Sequence, residues 1–300
     1  MDQLKVGSQH RQRRLKIAGA ALLICLLGGI ASRAALSALL PLLDPPAPSA
    51  AEGSGVEGSP SENQSKYPKA DPPEAEFHLG RIMYRTRGGA GSHGFIQPWW
   101  AVDYPYAEMH FLPALRRLTK VQVAEDSRHL EIVDQSIFDY PFLLMQQPGQ
   151  GNWNPTPEEA ARFREYFLRG GFMIVDDIHT EYEWQIFAAS MRRVFPERAF
   201  IEIPDSDPLL HVVYDLTNRI QIPGVRHLRR KRGGEIVTQM EGPLSWRGLY
   251  DDAGRIMVAV NLNADMGDAW EHADSPYFPA EMTGQAYRLG INYVVYAMTH

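Results

Sequence analysis

An α/β fold with a mainly parallel sheet and helices on both of its faces is what the sequence predicts for residues 76–300. Two observations carry the prediction. Short apolar runs of strand length alternate with capped amphipathic segments, a spacing that joins parallel strands by right-handed crossovers. The stretch Arg169-Gly-Gly-Phe-Met-Ile-Val-Asp-Asp-Ile-His179 then ends a helix at a glycine pair, runs a short buried strand, and leaves two carboxylates and a histidine at its carboxyl end. Open α/β sheets present side chains to ligands at that end.

Three segments of different character precede this region. Residues 1–16 form a basic tail in which Lys5, Arg11, Arg13, Arg14 and Lys16 face a single acid, Asp2. Residues 17–30 carry no charge, and after Arg33 the apolar pattern resumes over 34–43. Counted together, 17–43 is long enough to cross a ~30 Å hydrocarbon core, with Arg33 snorkelling to the headgroups. Basic residues before it, and none over 34–65, predict a single-pass anchor in the cytoplasmic (inner) membrane, N-terminus inside and the domain extracytoplasmic. A secretory signal cleaved near Ser32-Arg33-Ala34 is the alternative. Residues 44–75, rich in Pro, Gly, Ser and Glu, have too few large apolar side chains to fold and read as a flexible linker.

Composition excludes several classes. The net charge of -6 coexists with the basic tail, so the remainder is acidic and lacks the basic footprint of a nucleic-acid binder. The single cysteine, Cys25, lies in the apolar run. An internal disulfide, a cysteine metal site and a cysteine nucleophile in the domain are therefore all excluded.

Within the domain, the alternation over 77–84 predicts a first strand. The glycine-rich 87–94 fits neither the dinucleotide fingerprint nor the P-loop and is expected to be a surface loop. Asp103 is placed as the N-cap of a helix through Met109, Leu112, Leu115 and Leu118, with Pro105 in its first turn. Val121 and Val123 begin a second strand, and 138–145 forms a third, buried one. Thr156, Pro157, Glu158 and Glu159 agree on a helix start, and Ala160, Phe163 and Phe167 line its apolar face up to Gly170 or Gly171. A strand over 172–175, a helix over 182–194, an irregular stretch over 196–254, a buried strand over 257–262 and a closing helix over 286–298 complete the pattern.

Two clusters could carry chemistry. Asp176 and Asp177 are adjacent in a strand and face opposite sides, so one points at the crevice and the other braces the next segment. With His179 and a carboxylate from elsewhere they could hold a cation or serve as acid and base; satisfying backbone donors at the strand-to-helix turn is the favoured role. Asp265, Asp268, Glu271 and His272 follow the strand over 257–262 and would reach the same rim. Asp177, His179, Asp265 and His272 are the metal-ligand candidates, and a divalent metal is the one cofactor these residues could take. The same rim reads equally as a sugar-binding surface of Asp265 and Asp268 with Trp153, Trp270 and the Trp99-Trp100 pair as stacking platforms. His110 is expected to be an ordinary surface or core histidine. The basic run over 226–232 is expected to be a solvated loop, or else a contact for anionic envelope polymers or headgroups.

The order of signals resembles the uncharacterised bacterial family called domain of unknown function 4159. The matching residues are Asp103-Tyr-Pro; Asp139-Tyr-Pro-Phe-Leu with Leu168-Arg-Gly-Gly-Phe and Asp176-Asp177; Asp207-Pro-Leu-Leu-His211 with Tyr214-Asp215; and Tyr287-Arg-Leu-Gly-Ile-Asn292-Tyr-Val-Val-Tyr. The resemblance covers residues 76–300 and implies a flavodoxin-like three-layer sandwich of the class I glutamine-amidotransferase type, often on exported or membrane-tethered proteins. Amidotransferase activity is not implied, because neither a cysteine nor a Gly-x-Ser-x-Gly elbow follows the third strand. The missing nucleophile favours a non-catalytic envelope module that binds a carbohydrate-like ligand or a protein partner. A hydrolase using the carboxylates and histidine, with or without a metal, is the rival, and a scaffold of a membrane complex the third reading.

Overall fold

The computed structural model describes residues 75–92, 95–238 and 242–300. The expected basic tail (1–16), anchor or signal (17–43) and linker (44–75, of which only Ala75 is included) lie outside the described residues. Among the described residues no helix is long and apolar enough to cross a membrane.

The strands are β1 (Gly80–Met83), β2 (Gly89–Ser92), β3 (Phe95–Pro98), β4 (Arg128–Glu131), β5 (Phe142–Gln146), β6 (Phe172–Ile178), β7 (Ile201–Glu202), β8 (Leu228–Arg230), β9 (Ile236–Thr238), β10 (Ser245–Tyr250) and β11 (Ile256–Leu262). The helices are α1 (Tyr106–Leu118), α2 (Pro157–Leu168), α3 (Glu181–Val194), α4 (Met266–Glu271) and α5 (Ala280–Thr299). Seven strands form one sheet in the order β4-β1-β5-β6-β11-β10-β7. The first five run parallel, and β10 and β7 add an antiparallel edge. The parallel part has the doubly wound order in which the chain starts near the middle, moves outward to β4 and returns past β1 to β5. Its topological switch point lies between β1 and β5.

Helices cover both faces, so the domain has three layers. On one face Phe111 of α1, Trp270 of α4 and Leu289 and Tyr293 of α5 share a core with Phe142, Phe172 and Ile174. On the other, Phe163 and Phe167 of α2 and Phe187 of α3 share a core with Leu143, Met145, Met173 and Val175. Successive residues of β6 thus enter opposite cores, and each fully buried side chain contributes about 1.5–3 kcal/mol.

Local chemistry fixes the helix starts. Thr156 accepts from the Glu159 amide at 3.2 Å while the Glu159 carboxylate takes the Thr156 amide at 2.6 Å, with Pro157 next in the chain. Thr180 and Glu183 repeat this reciprocal cap on α3. Arg255 supports the end of α2 by donating to the Phe167, Gly170 and Gly171 carbonyls.

Several expectations need correction. The segment at 121–123 makes only one bridge, between Phe77 and Val123, and the edge strand is β4 instead. Its Arg-His-Leu-Glu sequence hides a strand in which only His129 and Leu130 are buried. The expected loop over 87–94 contributes β2 of a hairpin with β3, where a side chain at Gly89 would collide with the Gln97 carbonyl. Residues 135–139 form a 3₁₀ turn, so the third strand begins at Phe142. The last helix starts six residues earlier than expected, after Pro279. Asp103 makes no side-chain cap for α1.

Candidate functional site

Carboxyl ends of β5, β6 and β11 converge beside the switch point on a cleft of about 380 Å³, bordered by Asp103, Gln147, Asp177, Arg226, Asp265, Asp268, Glu271 and His272 among others. Five of the acids around it, Asp103, Asp176, Asp177, Asp265 and Glu271, are buried. Asp268 is nearly so, with 13% of its side chain exposed. Backbone geometry at the strand ends aims them. Asp103 (φ 66°), Gln147 (φ 46°), Asp177 (φ 59°) and Asn263 (φ 56°) all adopt the left-handed region, which turns the chain sharply as each strand or loop ends.

The adjacent aspartates divide the work. Asp176 accepts from the amides of Met266 at 3.1 Å and Gly267 at 2.7 Å, so it fastens the first turn of α4 to the end of β6. Asp177 borders the cleft, contacts His179 Nε2 directly and lies 3.4 Å from Arg226. Asp265 Oδ2 lies 3.9 Å from the same His179 nitrogen, while its Oδ1 caps α4 through the Asp268 amide at 2.8 Å. One donor atom from each of Asp177, His179 and Asp265 thus falls within 4.8 Å of the others. Asp268, Glu271 and His272 form a second group meeting the same criterion.

The surrounding chain is shaped by these carboxylates. A Cβ on Gly224 would lie 2.6 Å from Asp265 Oδ2 and 3.0 Å from Asp268 Oδ2. A Cβ on Gly267 would collide with Asp103 Oδ2 and come within 2.6 Å of Gln146 Nε2. Gly267→Ala is therefore expected to destabilise the domain by about 1–3 kcal/mol and to push Asp103 out of the cleft. A denaturation midpoint unchanged from wild type would show that Asp103 does not sit there.

Crowding acids out of water moves their protonation. Burial, then repulsion from Asp268, Asp177 and Glu271, raises Asp103 well above the usual carboxylate range. Burial and Asp177 do the same to Asp265, and more mildly to Asp268. Glu271 is pushed up to about 7 by burial and Asp268, and Asp176 to about 7 by burial and Asp177 despite its two amide donors. Burial would lower His179, but the charge and hydrogen bond of Asp177 outweigh it and the net shift is upward. The His227 ring packs against it at 4.9 Å and is lowered to about 4 by burial and by the His179 and Arg226 charges.

Trp153 and Trp270 are not at the rim. Trp153 is 2% exposed and packs between Phe163 and Phe187. Trp270 is 1% exposed and stacks on Phe111 at 4.2 Å. The apolar faces of α2, α3 and α1 claim both rings, so neither offers a stacking platform. His110 donates through Nδ1 to the Trp270 carbonyl, 2.7 Å away. Arg226, the first residue of the basic run, reaches into the cleft from a turn laid over it, where the Val225 amide donates to Asp268 Oδ2 at 2.7 Å.

Sequence reasoning missed four participants. Arg81 is fully buried; its guanidinium meets Glu108 at 2.7 Å and donates to the Trp100 and Val102 carbonyls at 3.1 and 3.0 Å, which holds the backbone leading to Asp103. An arginine inside an apolar strand was the available signal. Asp103 itself receives Gln146 Nε2 at 2.5 Å. Gln146 and Gln147, a polar pair at the carboxyl end of a buried strand, could have been marked by position alone.

Fold and cleft together define a doubly wound α/β domain with a buried acidic centre at its switch point. Residues 80–298 match the family model described as Domain of unknown function (DUF4159), and the chain belongs to that family. No curated protein matches it.

Proposed function

We propose that this domain is a divalent-cation-dependent hydrolase working at the cell envelope. The observation that carries the reading is the convergence of Asp177, His179 and Asp265, whose donor atoms lie within 4.8 Å of one another in an open cleft. Three protein ligands leave coordination positions for water and substrate, the arrangement of catalytic rather than structural metal sites. Mixed carboxylate and imidazole donors suit Mn²⁺, Zn²⁺ or Fe²⁺ better than a purely oxygen-seeking ion. A cation there would lower the pKa of a bound water and polarise a substrate oxygen. Arg226, with 54% of its side chain exposed, is placed to meet negative charge on the substrate.

The strand order supports the glutamine-amidotransferase-like reading of the fold, while the chemistry stays separate because the only cysteine is Cys25. Burial of Trp100, Trp153 and Trp270 weakens the aromatic support for a carbohydrate-stacking module, leaving the half-buried Trp99 of the four expected platforms. Membrane attachment through 17–43, with the domain facing outward, rests on the basic residues before that segment and their absence after it.

The test uses full chain purified in detergent and stripped with chelator. Mn²⁺ or Zn²⁺ is expected to raise the thermal midpoint, by about 2.7 kcal/mol of added stability at a hundred-fold excess over Kd. Asp177→Asn and His179→Ala are expected to diminish the shift and to abolish turnover of chromogenic ester substrates. No shift with any divalent metal would sink the proposal; a shift without turnover of any ester would leave a cation-gated binding module.

A further inference from the structure

We propose that the cleft holds a second divalent cation beside the first, ligated by Asp268, Glu271 and His272. This deepens the reading above and rests on it. His272 Nε2 lies 3.7 Å from Asp268 Oδ1 and 3.8 Å from Glu271 Oε2. Both separations exceed a hydrogen bond, yet each is spanned by one ion bonded at about 2.0–2.2 Å to either atom. The contrast within the same chain is His211, whose Nδ1 sits 2.6 Å from Asp215 Oδ1 as a direct hydrogen bond. Asp268 commits Oδ2 to the Val225 amide, which leaves Oδ1 turned to His272.

An independent observation points to a ligand in the same cleft. Gln147 borders the cleft and is 2% exposed, and its side-chain oxygen meets no donor among the described residues. A buried amide oxygen without a partner costs about 1–3 kcal/mol, and a hard cation or its bound water supplies the missing contact. The two ligand sets abut, since Asp265 Oδ2 of the first and Asp268 Oδ2 of the second both crowd the position of a Cβ on Gly224. Paired cations of this kind clamp two oxygens of one substrate group.

The experiment is Mn²⁺ titration of the full chain by calorimetry, with electron paramagnetic resonance to detect coupling between ions. Wild type is expected to bind two Mn²⁺ per chain and to give an exchange-coupled signal. His272→Ala and Asp268→Asn are each expected to bind one and lose the coupling; His179→Ala is expected to bind one at the other position. His272 is 29% exposed, so its replacement leaves the core intact, and circular dichroism of both variants checks folding. A single Mn²⁺ in wild type, lost in His179→Ala and kept in His272→Ala, would overturn the second site and leave the first. Two ions retained in both His272→Ala and Asp268→Asn would overturn it by locating the second ion elsewhere. No binding at all would overturn both readings.

Discussion

Arg81→Met is expected to lower the stability of the domain by about 3–5 kcal/mol, because it strands a buried carboxylate. Glu108 is 5% exposed and, among the described residues, would keep the Ser127 hydroxyl at 3.3 Å. The Trp100 and Val102 carbonyls would lose their common donor as well, and with it the restraint on the turn that carries Asp103. Cation binding should therefore weaken along with folding, although Arg81 touches no proposed ligand. The double variant Arg81→Met/Glu108→Leu separates the two effects. Removing both charges should restore much of the stability, since an apolar pair can replace a buried ion pair at little cost, while the two carbonyls stay unsatisfied. Denaturant midpoints measure both. A loss under about 1 kcal/mol in the single variant would mean that the pair is solvated and anchors nothing.

Without divalent cations the domain is expected to become less stable as pH rises from about 4 to about 7. Asp176 and Glu271 titrate near 7 when folded, against about 4 in an unfolded chain, and Asp103 and Asp265 are raised as well. An acid with a raised folded value binds its proton more tightly in the native state. Its stabilisation is complete below the unfolded value and disappears as pH passes the folded one. Every tenfold gain in proton affinity on folding is worth about 1.4 kcal/mol. His129, held down to about 3, and His227, held to about 4, act the other way: their contribution is present above about 6.5 and fades on acidification. Five raised carboxylates, Asp268 included, outweigh three lowered imidazoles, His78 included. Saturating Mn²⁺ should reverse the slope, because ligation requires the deprotonated acids. Chemical denaturation at pH 5 and pH 7.5 in chelator decides it; equal or greater stability at pH 7.5 would contradict a buried, uncompensated cluster.

Parts of this molecule were legible because their signals are local. Thr156-Pro157-Glu158-Glu159 fixes a helix start by cap, ring and charge at once, and 172–175 is too uniformly apolar to lie anywhere but inside the sheet. Edge strand β4 was hidden because it buries only two side chains, which breaks the alternation that marks strands. The site was half legible. Position after a buried strand singled out Asp177, His179, Asp265 and Asp268, but Asp103 was mistaken for a helix cap because an aspartate before a helix usually is one. Its partner Gln146 lies 43 residues away, a pairing set by the order of β1 and β5 rather than by spacing. Trp153 and Trp270 misled for a related reason: tryptophans near acids look like a binding rim until the helices that cover them are placed.

The left-handed residues around the cleft set this domain against itself. Asp103, Gln147, Asp177 and Asn263 hold a backbone conformation that side chains other than glycine resist, at about 1–3 kcal/mol where nothing offsets it. Glycine would relieve that strain at all four positions while removing the groups that define the cleft. A laboratory selection for heat resistance alone would therefore drift toward glycine at this rim and deliver a hardier, chemically blank domain. Lineages that keep Asp103 and Asp177 must be held there by what the cleft does, and a trade-off between durability and use is written into the ends of its strands.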